Sequence, residues 1–210
     1  MKTHERPDAT EKPKGRPRSF DRDKALLRAL DLFWRKGFEP ASVAELCAVM
    51  EINPPSLYSA FGNKARLFLE AVSYYEQVYW QATWARLEDA PDIVQAIDSF
   101  FSEAADILLS PSAPCGCMVV LAAINVSAES ADVVRAVSQL RQEGKDLFGR
   151  RLARAVQDKQ LPAQTNTAAL ATVLNTLLEG MSIEAKDGAT PEGLKLIGQH
   201  AVRLLQPLES

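Results

Sequence analysis

Histidine is almost missing from this chain: His4 and His200 are the two it has among 210 residues. A histidine-based metal site or a Ser–His–acid triad therefore has almost no raw material. Cysteine is scarce too, and three is an odd number that no disulfide framework uses up. No apolar run approaches the roughly 18 residues of a membrane span. The opening segment, MKTHERPDATEKPKGRPRSF, carries no apolar core of a secretory signal, so a cytoplasmic location is expected. No stretch alternates apolar and polar residues over a useful length, which argues against strands. A Gly-rich phosphate loop, an HExxH pair and a GxSxG elbow are all absent. The carboxylates Glu103, Asp106, Glu129 and Glu179 lie scattered along the chain. Neither an enzyme nor a cofactor or metal site is expected.

What is present is ordinary core-forming material, 47% hydrophobic and 24% charged. The net charge of −3 hides a division. Residues 1–66 hold 13 Lys/Arg against 9 Asp/Glu, and residues 67–210 hold 11 against 18. A basic amino-terminal part on an acidic body suits a chain that sets one end on phosphate, although an asymmetry of this size also arises by chance.

Residues 1–19 are polar and rich in Pro, Lys and Arg, a composition expected to be disordered in isolation. From Arg22 the spacing of Ala25, Leu26, Ala29, Leu30 and Phe33 predicts a helix that stops at Gly37. Ser42 and Glu45 form an S-x-x-E capping box for a second helix. A third starts at Pro54-Pro55, where missing amide donors do no harm. Gly62 ends it, and Asn63 caps a long helix carrying Leu67, Phe68, Ala71, Val72, Tyr75, Val78, Tyr79 and Ala82 on one side. Further helices are predicted near 92–109, 115–127, 131–158, 166–187 and 191–206. The fold class is all-α: a disordered basic arm (1–19), a three-helix unit (20–66) and a larger helical domain (67–210).

Two short helices joined by a tight turn over residues 42–64 have helix-turn-helix geometry, in which the second helix enters the DNA major groove. Val43, Leu46, Cys47, Ile52, Leu57 and Phe61 fall inside, leaving Ser56, Ser59 and the small Pro55 and Ala60 outside. Arg16 and Arg18 in GRPR could lie in an A·T-rich minor groove, or simply be solvated.

The segments GFEPASVAELC, INPPSLYSAFGNK and the following ARLF resemble the TetR family of transcriptional repressors. The match is close over the first ~65 residues and follows the family's general layout beyond. The resemblance implies an all-α homodimer that holds a double-stranded operator and is released by a small-molecule inducer. It places Ser42, Tyr58 and Lys64 at backbone phosphate, and Pro55, Ser56 and Ser59 in the groove. Hydroxyls, helix amino termini and a mobile ammonium are good phosphate donors on independent grounds. One departure stands out: Glu51 occupies a turn position where the family usually has Gly. A left-handed residue there costs about 1 kcal/mol, and its carboxylate should point away from DNA.

In the larger domain Trp80, Trp84, Phe101, Cys117, Met118 and Met181 are candidates to line an apolar ligand pocket, and the acidic body favours a neutral or cationic inducer. Cys115-Gly116-Cys117-Met118 is distinctive. At the start of a helix the amide dipoles would lower a thiol's pKa, so an oxidant or electrophile switch is one reading and a buried packing pair the other. Ala169, Val173, Leu177 and Gly180, with Leu194, Ile197 and Ala201, mark two helices suited to a four-helix dimer interface. The competing reading of the whole chain is a helical protein adaptor with no specific DNA binding.

Overall fold

The computed structural model describes residues 20–206, which form ten α-helices and no strand. Arg16 and Arg18 lie outside the described residues. The head is α1 (Arg22–Lys36), α2 (Val43–Met50) and α3 (Pro54–Phe61), followed by α4 (Lys64–Tyr75). Each start is fixed by a side-chain cap. Asp21 accepts from the Asp23 and Lys24 amides, Ser42 and Glu45 cap each other reciprocally, and Asn53 and Asn63 accept from the Ser56 and Arg66 amides. These contacts occupy amide donors that a helix start leaves unpaired. Glu51 is left-handed (φ 57°, ψ 40°), and its carboxylate is turned onto Arg28 of α1 at 2.7 Å.

The sequence predicts one long helix after Asn63. Residues 64–89 are indeed helical without a break, with a π-helical turn, Glu76–Trp80, joining α4 to α5 (Gln81–Asp89). Within that turn Trp80 is buried and donates its Nε1–H to Tyr75 Oη at 2.6 Å. Such turns shift the register of a helical face, a change invisible to a pattern of apolar spacing.

The larger domain continues with α6 (Ile93–Leu108), α7 (Met118–Leu121), α8 (Ala131–Gln157), α9 (Thr167–Lys186) and α10 (Pro191–Arg203). The helix predicted at 115–127 is a single turn, α7, within an irregular segment. That segment is held by longer-range bonds: Gly116 N–H donates to Leu108 O (2.9 Å), Trp34 Nε1–H to Gly116 O (2.9 Å), and Phe38 N–H to Ala122 O (2.7 Å). The last two come from the head, so α1 is tied to residues 116–122 of the larger domain.

A single apolar core runs through both parts, with Phe33, Phe68, Tyr75, Phe100, Phe101 and Phe148 fully buried. Helix α10 packs on α6 so closely that a Cβ at Gly198 would sit 2.6 Å from Phe101 Cβ. Leu194 and Ala201 are therefore buried within their own chain and cannot form the dimer surface predicted for them. They face α6, whereas the opposite side of α10 exposes Leu196 and Leu204.

Candidate functional site

The outward face of the head is built by α3. Its first turn is Pro54-Pro55, and its core residues Leu57 and Phe61 anchor it against α1, α2 and α4. That leaves Pro55, Tyr58 and Ser59 exposed and Ser56 half-buried on one side, with Tyr58 retaining 50% of its accessible surface. Ser42 sits at the start of α2, where its Oγ accepts from Glu45 N–H and donates to Glu45 Oε2 (2.9 Å). The same carboxylate takes an ion pair from Lys36. Together the Lys36 bond and the Ser42 bonds hold Glu45 down to about 2.

Lys64 is engaged within the chain. Its Nζ lies 4.5 Å from the Phe38 ring centroid and donates to Glu39 O at 3.1 Å. Arg66, which the motif reading passed over, is exposed in the first turn of α4, beside Gly62. That turn carries no acidic residue. Two cations at a helix amino terminus oppose the macrodipole and are favourable there when an anion docks between them. This charge pattern was legible in KARLF.

The second feature is a cavity of about 620 Å³ between the π turn, α5, α7, α8 and α9. Trp80, Trp84 and Cys117 reach it, as three of the six predicted pocket residues. Phe101, Met118 and Met181 do not. They are fully buried and turned into the helix packing, Phe101 stacking on Phe148 at 6.1 Å. Gly144 brings α8 against Trp84, whose ring would lie 3.4 Å from a Cβ there. The cavity wall is acidic, with Glu76, Glu88, Glu143 and Glu179 against the single cation Arg141. These carboxylates, scattered in sequence, converge from α5, α8, α9 and the π turn.

Burial, and secondarily the Glu143 carboxylate, pushes Glu76 from the ordinary 4.5 up to about 7. A folded-state value above the unfolded one means that ionising Glu76 disfavours folding. The penalty is absent below pH about 4.5, grows up to about 7, and is complete above that. Glu143 and Arg141 on α8 and Glu179 on α9 share this wall. Glu76→Gln is expected to be more stable than the parent by about 1–2 kcal/mol near pH 8, discounted for partial exposure, and equal to it near pH 4.5. Thermal unfolding at the two pH values measures this, and an equal difference at both would remove the assignment.

Cys117 precedes α7, but the expected lowering of its thiol pKa is reversed. Burial first, and then the nearby Glu76 charge, raise it to about 11. One turn of helix supplies too little dipole to offset either. Cys115 is exposed and Cys47 buried in the head's core.

From the cavity a continuous set of contacts reaches the head. Trp80 bonds Tyr75, Tyr75 and Tyr79 meet the Trp34 ring edge-on at 4.7 and 5.2 Å, and Trp34 bonds Gly116. Elsewhere in the domain α9 exposes Ala169 and Val173, with Leu177 and Gly180 half-buried. Beyond its own helix, no described residue lies within 4 Å of a Cβ placed at Gly180. Ile197 is half-buried on α10, and the exposed Ile183, Leu196 and Leu204 widen this apolar face beyond the predicted residues. Among the described residues no helix is long and apolar enough to cross a membrane, and no group of His, Cys, Asp or Glu is placed to hold a metal.

Comparison with known proteins agrees with this architecture. The family model for bacterial regulatory proteins of the tetR family matches residues 25–71, and that for the tetracyclin repressor-like C-terminal domain matches 94–200. The HTH-type transcriptional repressor ComR of Escherichia coli (strain K12) is 30% identical over 92% of each chain. The HTH-type transcriptional repressor BdcR of the same organism is 29% identical over 86% of each. A solved structure of the TetR family transcriptional regulator CifR, a cysteine mutant complexed with 26-base-pair operator DNA, is 42% identical. It aligns with a TM-score of 0.85 over 90% of this chain and 98% of that one. The chain belongs to the TetR family of bacterial transcriptional regulators, which are DNA-binding proteins and not enzymes.

Proposed function

We propose that the chain is a homodimeric repressor that holds a near-palindromic operator and lets go when a small molecule enters the cavity beside Trp80 and Trp84. The observation that carries this is the capped α3, whose small and hydroxylated outer face (Pro55, Ser56, Ser59) fits against base edges. Tyr58, Arg66 and the start of α2 at Ser42 flank it as phosphate donors. Lys64 joins them by leaving Glu39 O, and Arg16 and Arg18 extend the contact along the minor groove. The apolar face of Val173, Gly180, Ile197 and Leu196 forms the two-fold interface. The contacts from Trp80 through Tyr75 to Trp34 give the cavity a physical route to α1.

The cavity is a better receiver of the signal than Cys117, because burial and the Glu76 charge raise that thiol to about 11, leaving it protonated and weakly nucleophilic at neutral pH. Cys115→Ser/Cys117→Ser protein is therefore expected to answer the same inducer.

Salt titration of binding to an operator selected from random duplexes tests the DNA contacts. Arg66→Ala should weaken binding and flatten the log–log salt slope by about one. Deleting residues 1–18 should flatten it further. Unchanged affinity and slope in both would defeat the proposed docking.

A further inference from the structure

The effector cavity has a charge that its apolar walls do not need. Four carboxylates face it, and one has a cation: Glu88 is bound to Arg150 (3.0 Å), whereas Glu179 accepts only from the neutral Asn175 Nδ2 (3.0 Å). Glu143 takes only the neutral Gln139 amide, at 2.8 Å. Glu76, half-buried in the cavity lining, is set by burial and by repulsion from Glu143, with no side-chain hydrogen bond or ion pair among the described residues. The one cation in the lining, Arg141, spends its guanidinium on Val119 O through Nε (3.2 Å) and Nη2 (3.1 Å). The indoles of Trp80 and Trp84, with centroids 6.3 Å apart and planes 34° apart, stand in the same wall.

Two carboxylates without a cation, Glu76 and Glu143, beside two indole faces attract one kind of molecule. A positive charge relieves the Glu76–Glu143 repulsion, and it is also drawn to the ring faces, which carry negative quadrupole density. A flat apolar body fills the remaining space against Val120, Leu140 and Leu147. An anion would meet a surplus of carboxylates. A neutral ligand would leave the pair as it is.

We infer that the cavity is selective for organic monocations with a flat aromatic body, the positive end lying between Glu76 and Glu143 and the body against Trp80 and Trp84. The inference rests on this cavity being the effector site.

The test uses three probes of similar shape on the full-length dimer above neutral pH: N-methyl-4-phenylpyridinium, neutral 4-phenylpyridine and anionic biphenyl-4-carboxylate. Calorimetry gives the affinities, and fluorescence anisotropy of labelled operator gives release. The cation should bind roughly tenfold or more tighter than the neutral probe, with the carboxylate weakest. Glu76→Gln/Glu143→Gln should abolish that preference while leaving the affinity for 4-phenylpyridine unchanged. If the double variant does not fold, Glu143→Gln alone, at an exposed position on α8, should narrow the preference. Equal affinities for cation and neutral probe, or a preference that survives the double substitution, overturn the inference and leave the effector cavity standing. A cation that binds with the expected preference yet leaves operator bound upholds the charge selectivity and defeats the cavity's regulatory role instead.

Discussion

Gly116→Ala should lower the melting temperature by roughly 6–12 °C, corresponding to about 2–4 kcal/mol. Gly116 has φ +84°, so any Cβ carries the left-handed penalty of about 1 kcal/mol. That Cβ would also sit 2.8 Å from Ser182 O on α9 and 2.4 Å from Leu121 Cδ1. The leucine can swing aside, but the backbone carbonyl of a long helix cannot. Relief must come from moving residues 115–118, and these carry the acceptor for Trp34 Nε1–H and the Cys117 wall of the cavity. The substitution should therefore weaken operator binding as well as stability. Circular dichroism melting together with anisotropy measures both, and a melting temperature within a degree of the parent would show that the segment is not locked as described.

Gly180→Arg should leave the monomer fold intact and reduce operator affinity by about 100-fold or more. Beyond its own helix no described residue lies within 4 Å of a Cβ at this position, so a side chain can leave the helix here without a clash in its own protomer. In a two-fold interface the same residue meets its symmetry mate or its surroundings twice, and a buried unpaired guanidinium there is strongly unfavourable. Losing the dimer removes the second head, and the avidity of two linked heads is worth roughly 10²–10⁴ in affinity. Sedimentation velocity should show a monomer with parental helicity. A variant that remains dimeric and binds operator normally would place the interface elsewhere.

The head was legible in the sequence because its signals are local. Caps at Ser42 and Asn63 and the breaks at Gly37 and Gly62 each involve residues within a few positions of one another, whereas the Asn53 cap emerged only with the structure. Features that depend on packing and departures from regular helix geometry were not. The π turn at 76–80 depends on Trp80 finding Tyr75 across a distorted register, and α7 is a single turn because Gly116 and Ala122 bond to other elements. Apolar periodicity finds a buried stripe but cannot say what buries it. Leu194 and Ala201 look the same as Ile197 in sequence, yet they face α6, while Leu196 and Leu204 are left outside. The same limit put Phe101, Met118 and Met181 in the pocket pool, whereas Glu76 and Glu143, polar residues far apart in the chain, line the cavity.

Selection of bound duplexes from a random pool by the purified full-length protein, at moderate ionic strength and without effector, tests most directly that α3 reads base edges in a paired molecule. The expected result is enrichment of inverted half-sites with centres roughly 34–36 Å apart or somewhat wider. Replacing Ser56 and Ser59 by Ala should change the preferred bases but not the half-site spacing. A pool left unenriched after repeated rounds, or a single unpaired motif, would contradict the account.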